Sequence, residues 1–282
     1  MKSQTIGALA VAAALGATGV AAAQGTESAP GTSKASGDYY GGYYGGYNGG
    51  SGGGKGGVTG GGASSSLPCP RVEGLSYANA FRKNGKVKLT FKRQLRNKII
   101  IDIFKVSSGR RIGGSQVVAH FGERSSGVMW SGKPNREGRS VTDGTYFVRY
   151  TMRNAQGGLV DTLRVALTRK NGKFVKAPSF YLRSACQAIH SFKLSRPVFG
   201  GQRARPLGIS FQILRPGRVT VQVYKGRTLV GTLLRNQLVQ TTATQRLNFL
   251  PDGQSRGVYQ VKLTYTGSTG QPVSQTLASA LL

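Results

Sequence analysis

The chain has 282 residues and carries 39 Lys and Arg against 9 Asp and Glu, a formal net charge of +30 at pH 7. A charge of this size favours anionic partners and disfavours cationic ones. Residues 67–282 hold 36 of the basic and 7 of the acidic residues, and they exceed the ~100 residues of one Ig-like sandwich, which excludes a single small domain.

The first 23 residues have the features of a cleavable secretion signal. Lys2 precedes an apolar, Ala-rich run from Ile6 to Val20, and Ala21-Ala22-Ala23 fits a small-residue cleavage site. The alternative is a transmembrane anchor, but the run is shorter than the ~20 residues that a spanning helix needs. We therefore predict a mature chain from Gln24, no transmembrane segment, and a secreted, extracytoplasmic location in the cell envelope or outside the cell.

Residues 24–66 are predicted to form a disordered linker rich in Gly, Ser and Tyr. They contain almost no aliphatic residue that could nucleate a core. The segment DYYGGYYGGYNGG, residues 38–50, is either a spacer or a sticky segment whose tyrosines stack on arginines or sugar rings. The composition favours the spacer.

The remaining residues show short alternating runs and no sustained helical periodicity. Val87, Leu89 and Phe91 alternate with Lys88, Thr90 and Lys92, which predicts a half-buried strand with a basic outer face. Further strands are expected at 99–104, 112–118, 146–150, 163–167 and 174–175, with turns at 107–109, 156–158 and 171–172. This pattern predicts an all-β sandwich or barrel.

The second half repeats the first. Segment 87–91 matches 207–211 and segment 99–105 matches 219–225, both at an offset of 120 residues, while 144–152 matches 257–265 at an offset of 113. We therefore predict two tandem Ig-like β-sandwich domains, residues 67–187 and a divergent copy at 188–282.

A framework motif in the first copy has the order Trp-x-Gly, loop Gly, Val-x-x-Gly-x-Tyr. The order resembles the FlgD-type Ig-like domain, which occurs in flagellar hook-capping proteins and as an accessory module of bacterial secreted proteins. The matching positions are Trp130, Gly132, Gly138, Val141, Gly144 and Tyr146, with Gly257 and Tyr259 in the second copy. The signal and linker differ from the hook-capping protein, so the resemblance implies a fold and an accessory role rather than hook assembly.

Trp130 has two interpretations. An exposed indole could stack on a sugar ring, whereas a buried one would bridge the two sheets of a sandwich. Its place in a repeated framework favours the core. Tyr146 is expected to return its hydroxyl to the backbone, like the tyrosine corner of Ig sandwiches.

Cys69 and Cys186 are the only cysteines. An even pair in a secreted chain usually forms a disulfide, and two cysteines allow one intramolecular pairing. The alternative, thiol catalysis, is weakly supported because no CxxC motif is present and nothing near His190 suggests an orienting acid. We predict a structural disulfide.

Catalytic and metal-binding patterns are missing from the sequence. It contains no HExxH, no GxSxG and no phosphate-binding glycine loop before a helix. The second copy has one acid, Asp252, so it cannot supply a carboxylate pair, and Asp102, alone in a predicted strand, is expected to pair with a nearby Lys or Arg. We predict a non-enzyme without metal or cofactor.

Basic residues on the outer faces suggest a role. We expect an adhesive or structural envelope protein, held on anionic wall or matrix polymer by a face comprising Lys88, Lys92, Arg93, Arg96, Lys98, Arg203, Arg205, Arg215 and Arg218. One alternative is non-specific extracellular nucleic-acid binding, which lacks a clear exposed aromatic row in the first copy. Others are an accessory module for a secreted enzyme on another chain, or a basic surface without a dedicated ligand.

Overall fold

The computed structural model describes residues 73–184, 186–240 and 243–282. The predicted signal peptide (1–23), the predicted linker (24–66) and Cys69 lie outside these residues. Within them the all-β prediction is confirmed, since there are 17 strands and the one helical element is a 3-10 turn at Gly201–Arg203. The described residues contain no helix with the length and apolarity needed to span a bilayer.

Eight strands build the first sandwich. They are β1 (Leu75–Lys83), β2 (Lys86–Arg93), β3 (Ile99–Ser108), β4 (Arg111–Arg124), β5 (Val128–Trp130), β6 (Gly144–Arg153), β7 (Leu159–Lys170) and β8 (Lys173–Lys176). One sheet has the order β1-β2-β5, and the other has the order β4-β3-β6-β7-β8. All pairings are antiparallel.

Nine strands build the second sandwich. They are β9 (Tyr181–Arg183), β10 (Ile189–Leu194), β11 (Val198–Phe199), β12 (Leu207–Ile213), β13 (Gly217–Lys225), β14 (Thr228–Val239), β15 (Gln245–Phe249), β16 (Gly257–Thr266) and β17 (Pro272–Leu281). The sheets have the orders β15-β12-β10-β9 and β11-β17-β16-β13-β14. Strand β9 precedes the predicted boundary at residue 187 but hydrogen-bonds to β10.

The two sandwiches have the same core topology. The sheet β1-β2-β5 corresponds to β10-β12-β15, and β4-β3-β6-β7 corresponds to β14-β13-β16-β17. They differ at the edges, where β8 extends the first copy and the short parallel strand β11 extends the second. The repeated segments in the sequence therefore occupy matching strands.

Alternation explains the strands that face a core on one side. In β2, Val87 and Leu89 are buried while the lysines between and beside them are partly or fully exposed. β-branched residues suit the pleated surface of β3, where Ile99, Ile101 and Ile103 are fully buried in the core of the first sandwich. Both signals are local: a period of two predicts β2, and the run of β-branched residues predicts β3.

The second hydrophobic core extends onto the first sandwich. Phe104, Val106, Phe147 and Ala166 point away from the first core and join the cluster of the second sandwich. The rings of Phe104 and Phe147 stack with centroids 4.7 Å apart, and Phe180 packs against Phe147 at 5.8 Å. Part of one sheet of the first sandwich is therefore buried on both faces, and the two sandwiches share a continuous apolar contact.

A buried ion pair links the first sandwich to β9. Arg183 Nη2 lies 2.8 Å from Asp161 Oδ2, and the two side chains are 2% and 0% exposed. The same carboxylate oxygen accepts the backbone N–H of Leu75, while Arg183 donates to the Leu75 carbonyl at 3.0 Å. Charges this buried are tolerated only when paired and hydrogen-bonded, so this contact fixes β1, β7 and β9 together.

Candidate anion-binding surfaces

The outer surface of the sheet β1-β2-β5 is basic and aromatic. Cross-strand pairing places Tyr77 opposite Lys92 and Phe81 opposite Lys88 on the same face. We call this surface the lysine face; it consists of Tyr77, Asn79, Phe81, Lys83, Lys86, Lys88, Thr90, Lys92 and Met129. It contains four lysines and no carboxylate.

The aromatic residues of β1 point outward because the space beneath the strand is already filled. Ala78 and Ala80 face the core, where there is room only for small side chains. Tyr150 of the opposite sheet reaches β1 and donates its hydroxyl to the Asn79 carbonyl at 2.6 Å. Tyr77 consequently remains 44% exposed, and Phe81, which is partly exposed, is not part of the core cluster.

This exposed pair was missed from the sequence. The segment Tyr-Ala-Asn-Ala-Phe alternates large and small residues, and alternation alone does not say which set is buried. The sequence predicts no clear exposed aromatic row in the first copy, whereas the structure places Tyr77 and Phe81 on one face of the sheet. A signal was available in the alanines, since a strand that packs on large side chains must itself present small ones.

The nine predicted anion-binding residues do not form one surface. In the first sandwich Lys88 and Lys92 lie on the lysine face, whereas Arg93 donates to the carbonyls of Arg96 and Asn97 and so holds the β2–β3 turn. Arg96 is exposed on that turn. Lys98 forms an exposed ion pair with Glu123 at 3.1 Å.

The four predicted residues of the second sandwich also separate. Arg203 and Arg205 line a cavity beside the first sandwich. Arg215 is exposed in the β12–β13 turn, and Arg218 donates to the Asn236 carbonyl at 3.1 Å. Arg93 and Arg218 therefore have a structural use, because each donates to backbone carbonyls.

A cavity of 230 Å³ lies at one end of the first sandwich. Its basic lining residues are Arg82, Lys133, Arg169 and Lys173. Arg169 is partly neutralised, because its Nη1 donates to Asp143 Oδ1 at 2.9 Å. The Gly172 N–H bound to that carboxylate, followed by the Asn171 N–H and the Arg169 charge, lowers the pKa of Asp143.

Trp130 lies in the core of the same sandwich and is 2% exposed. Its indole N–H donates to the Lys133 carbonyl at 2.7 Å, and its ring packs on Phe174 with centroids 4.9 Å apart. Phe174 also contacts Tyr146 edge-on at 5.3 Å. The indole is therefore not available as a stacking platform for a ligand.

The other framework residues serve the turns around this cluster. Gly144 has φ +151° and a Cβ there would lie 2.0 Å from the Ser107 carbonyl oxygen, so only glycine fits. Val141 packs on the core, Gly132 has φ +81° beside Phe174, and Gly138 has φ +64° in an open loop. In the second copy Gly257 has φ +141°.

Asp102, His120 and Arg149 form an acid–base cluster on the outer side of β3, β4 and β6. Asp102 Oδ1 lies 2.7 Å from His120 Nδ1, and Arg149 donates to Oδ2 at 2.9 Å. Asp102 thus pairs with an arginine, as expected. Arg149 also lies over the Phe104 ring, with its guanidinium carbon 4.7 Å from the ring centroid. Because Phe104 belongs to the apolar contact between the two sandwiches, the cluster lies at the edge of that contact.

The sequence predicts no metal site and a disulfide between Cys69 and Cys186. No group of three or more His, Cys, Asp or Glu able to hold a metal occurs in the part of the chain that the structure describes. Cys186 lies in the β9–β10 connection, but Cys69 is outside the described residues, so their pairing stays a prediction.

The chain matches no family model and no curated protein.

Proposed function

We propose that this chain is a secreted, non-catalytic Ig-like protein of the cell envelope that adheres to anionic polymer through the lysine face. The resemblance to FlgD-type domains, the secretion signal and the accessory role belong to this proposal. The observation that carries it is the register of β1 and β2, which sets Tyr77 beside Lys92 and Phe81 beside Lys88 on an open sheet surface.

Charge distribution supports the choice of an anionic occupant. Among the described residues, carboxylates at Asp102, Glu123, Asp143 and Asp161 are paired with cations on other surfaces. None of these acids lies on the lysine face. Four lysines without a neighbouring carboxylate repel one another, and a polyanion along the sheet would relieve that repulsion while releasing its counterions.

The aromatic side chains support a polymer with flat faces. Tyr77 and Phe81 are four residues apart on one strand, about 13 Å by the strand rise. Sugar rings offer apolar faces on which such side chains pack, and their acidic substituents would meet the lysines. We therefore favour an acidic polysaccharide as the occupant.

The test is retention on an immobilised acidic polysaccharide during a salt gradient. Wild-type protein is expected to elute late, and the double variant K88Q/K92Q much earlier, because exposed charge contacts are screened by salt. The matched control K262Q/R246Q removes two exposed charges from the second sandwich and is expected to elute close to wild type. Wild-type retention that is unchanged between low and high salt would contradict the proposal.

Single-stranded nucleic acid is the second candidate, and the same aromatic pair favours it. Bases stack on exposed aromatic side chains while lysines follow the phosphates. The variants Y77A and F81A would then weaken oligonucleotide binding by roughly tenfold or more, since stacking contributes about 1–3 kcal/mol per base. Equal competition by DNA and by an uncharged polysaccharide would remove this candidate.

A further inference from the structure

A second basic cavity lies where the two sandwiches meet. It has a volume of 320 Å³ and is lined on one side by the start of β4 and on the other by the loop that follows β11. Its charged lining residues are Arg111 from the first sandwich and Arg203 and Arg205 from the second. No acidic residue lines it.

Both walls of the cavity are held in place by backbone contacts. Gly200 and Arg205 form a β-bridge with N–H to carbonyl distances of 2.8 and 2.9 Å, which closes the loop around the 3-10 turn. The Gly113 carbonyl accepts Arg196 Nη1 at 2.8 Å, which ties β4 to the second sandwich. A Cβ on Gly201 would lie 2.7 Å from the Arg110 carbonyl oxygen, so the turn packs directly on the β3–β4 hairpin.

The three arginines have no carboxylate partner among the described residues. The Arg205 side chain makes a long contact, 3.5 Å, from its Nη1 to the Gly113 carbonyl. Cations brought together in this way without a counter-charge repel one another, and an anion bound between them removes that cost. The concave shape distinguishes this place from the open lysine face.

From this arrangement we infer that the cavity binds a phosphate group. One planar carboxylate is satisfied by one bidentate guanidinium, whereas a tetrahedral phosphate presents oxygens in several directions and matches donors arriving from two sides. No aromatic residue lines the cavity, so the anion itself is recognised and not a sugar ring. The volume leaves room for the group esterified to the phosphate.

The inference goes beyond the proposed function and stands on different residues. The phosphate can come from a free phosphomonoester or from the phosphodiester of a polymer. Isothermal titration with inorganic phosphate, glycerol phosphate and a phosphodiester oligomer separates these sources, and acetate tests the preference over carboxylate. Wild type is expected to bind phosphate-bearing probes at least about tenfold more tightly than acetate.

Variants at exposed positions test the site without disturbing the core. Arg111 and Arg203 are both exposed, so R111Q and R203Q should fold, and each is expected to weaken phosphate binding about tenfold, the worth of one charged hydrogen bond. The matched control R215Q removes an exposed charge of the second sandwich that does not line the cavity, and is expected to change binding by less than about twofold.

The outcomes separate the two sites. K88Q/K92Q should bind phosphate as wild type does, even though its retention on polysaccharide falls. Phosphate binding that is absent in wild type, or equal losses in R111Q, R203Q and R215Q, would overturn the cavity site and leave the lysine face unaffected.

Discussion

Phe249 occupies in the second sandwich the position that Trp130 occupies in the first. Trp130 pairs with Val87 across β5 and β2, and Phe249 pairs with Leu207 across β15 and β12, where Leu207 matches Val87 at the 120-residue offset of the repeat. Trp130 packs on Phe174, and Phe249 packs on Phe199 with centroids 6.1 Å apart. Each sandwich therefore closes one end with an aromatic cluster, supplied by β8 in one copy and β11 in the other.

Truncating the indole tests the importance of this cluster. W130A is expected to lower the free energy of unfolding by about 3–5 kcal/mol, because it removes a large buried side chain and leaves a cavity. Urea unfolding followed by circular dichroism measures the change. The neighbouring variant M129A serves as the control, since Met129 is 43% exposed on the lysine face, and a loss in M129A equal to that in W130A would contradict the assignment.

The tyrosine corner is present in both copies. Tyr146 donates its hydroxyl to the Thr142 carbonyl at 2.5 Å, and Tyr259 donates to the Ser255 carbonyl at 2.6 Å, each four residues upstream. Y146F and Y259F should each destabilise the protein by about 0.5–1.5 kcal/mol, the net worth of one hydrogen bond. Y77F, at an exposed tyrosine, should leave the unfolding midpoint unchanged, and no change in any of the three would count against the corners.

The buried pair of Asp161 and Arg183 should be sensitive to single changes. D161N is expected to cost about 3–5 kcal/mol, because it leaves a guanidinium that is 2% exposed without its counter-charge. The double variant D161L/R183M removes both charges and should recover much of that loss. Thermal unfolding of the two variants measures this, and a double variant less stable than D161N would show that the pair contributes more than mutual neutralisation.

Asp143 should give a pH dependence at the acidic end. Its folded pKa lies below its ordinary value of 3.8, chiefly because of the Gly172 N–H. The unfolded chain therefore binds the proton first, so this contribution to stability is complete above pH 3.8 and is lost as the pH falls through the lower folded value. Unfolding free energies measured from pH 5 downward should fall less steeply in D143N than in wild type, and parallel slopes would exclude the effect.

The predicted disulfide between Cys69 and Cys186 can be tested on purified protein that has not been reduced. Mass spectrometry of a non-reduced digest should show a peptide pair joined through these residues. Reduction, or the variant C69S/C186S, should lower the unfolding free energy by up to about 4–5 kcal/mol, the loop-entropy value for a closure of this length. Two free thiols in the non-reduced digest would refute the bridge.

The sequence by itself determined the class of the fold and much of its strand plan. The alternation at Val87, Leu89 and Phe91 and the β-branched run at 99–103 are local signals, and the strands lie where those signals predict. The 120- and 113-residue offsets likewise matched strands of equal position in the two sandwiches. Pleat and propensity act over a few residues, so one strand at a time is enough to see them.

Only the tertiary structure decided which surfaces carry the candidate sites. Tyr77 is exposed and Phe81 partly exposed because Tyr150, more than 60 residues away, reaches the underside of β1. Arg111 meets Arg203 and Arg205 because the loop after β11 packs on the β3–β4 hairpin, and Asp161 finds Arg183 across the junction of the sandwiches. Such contacts depend on how distant segments fill a shared volume, which no local pattern in the chain records.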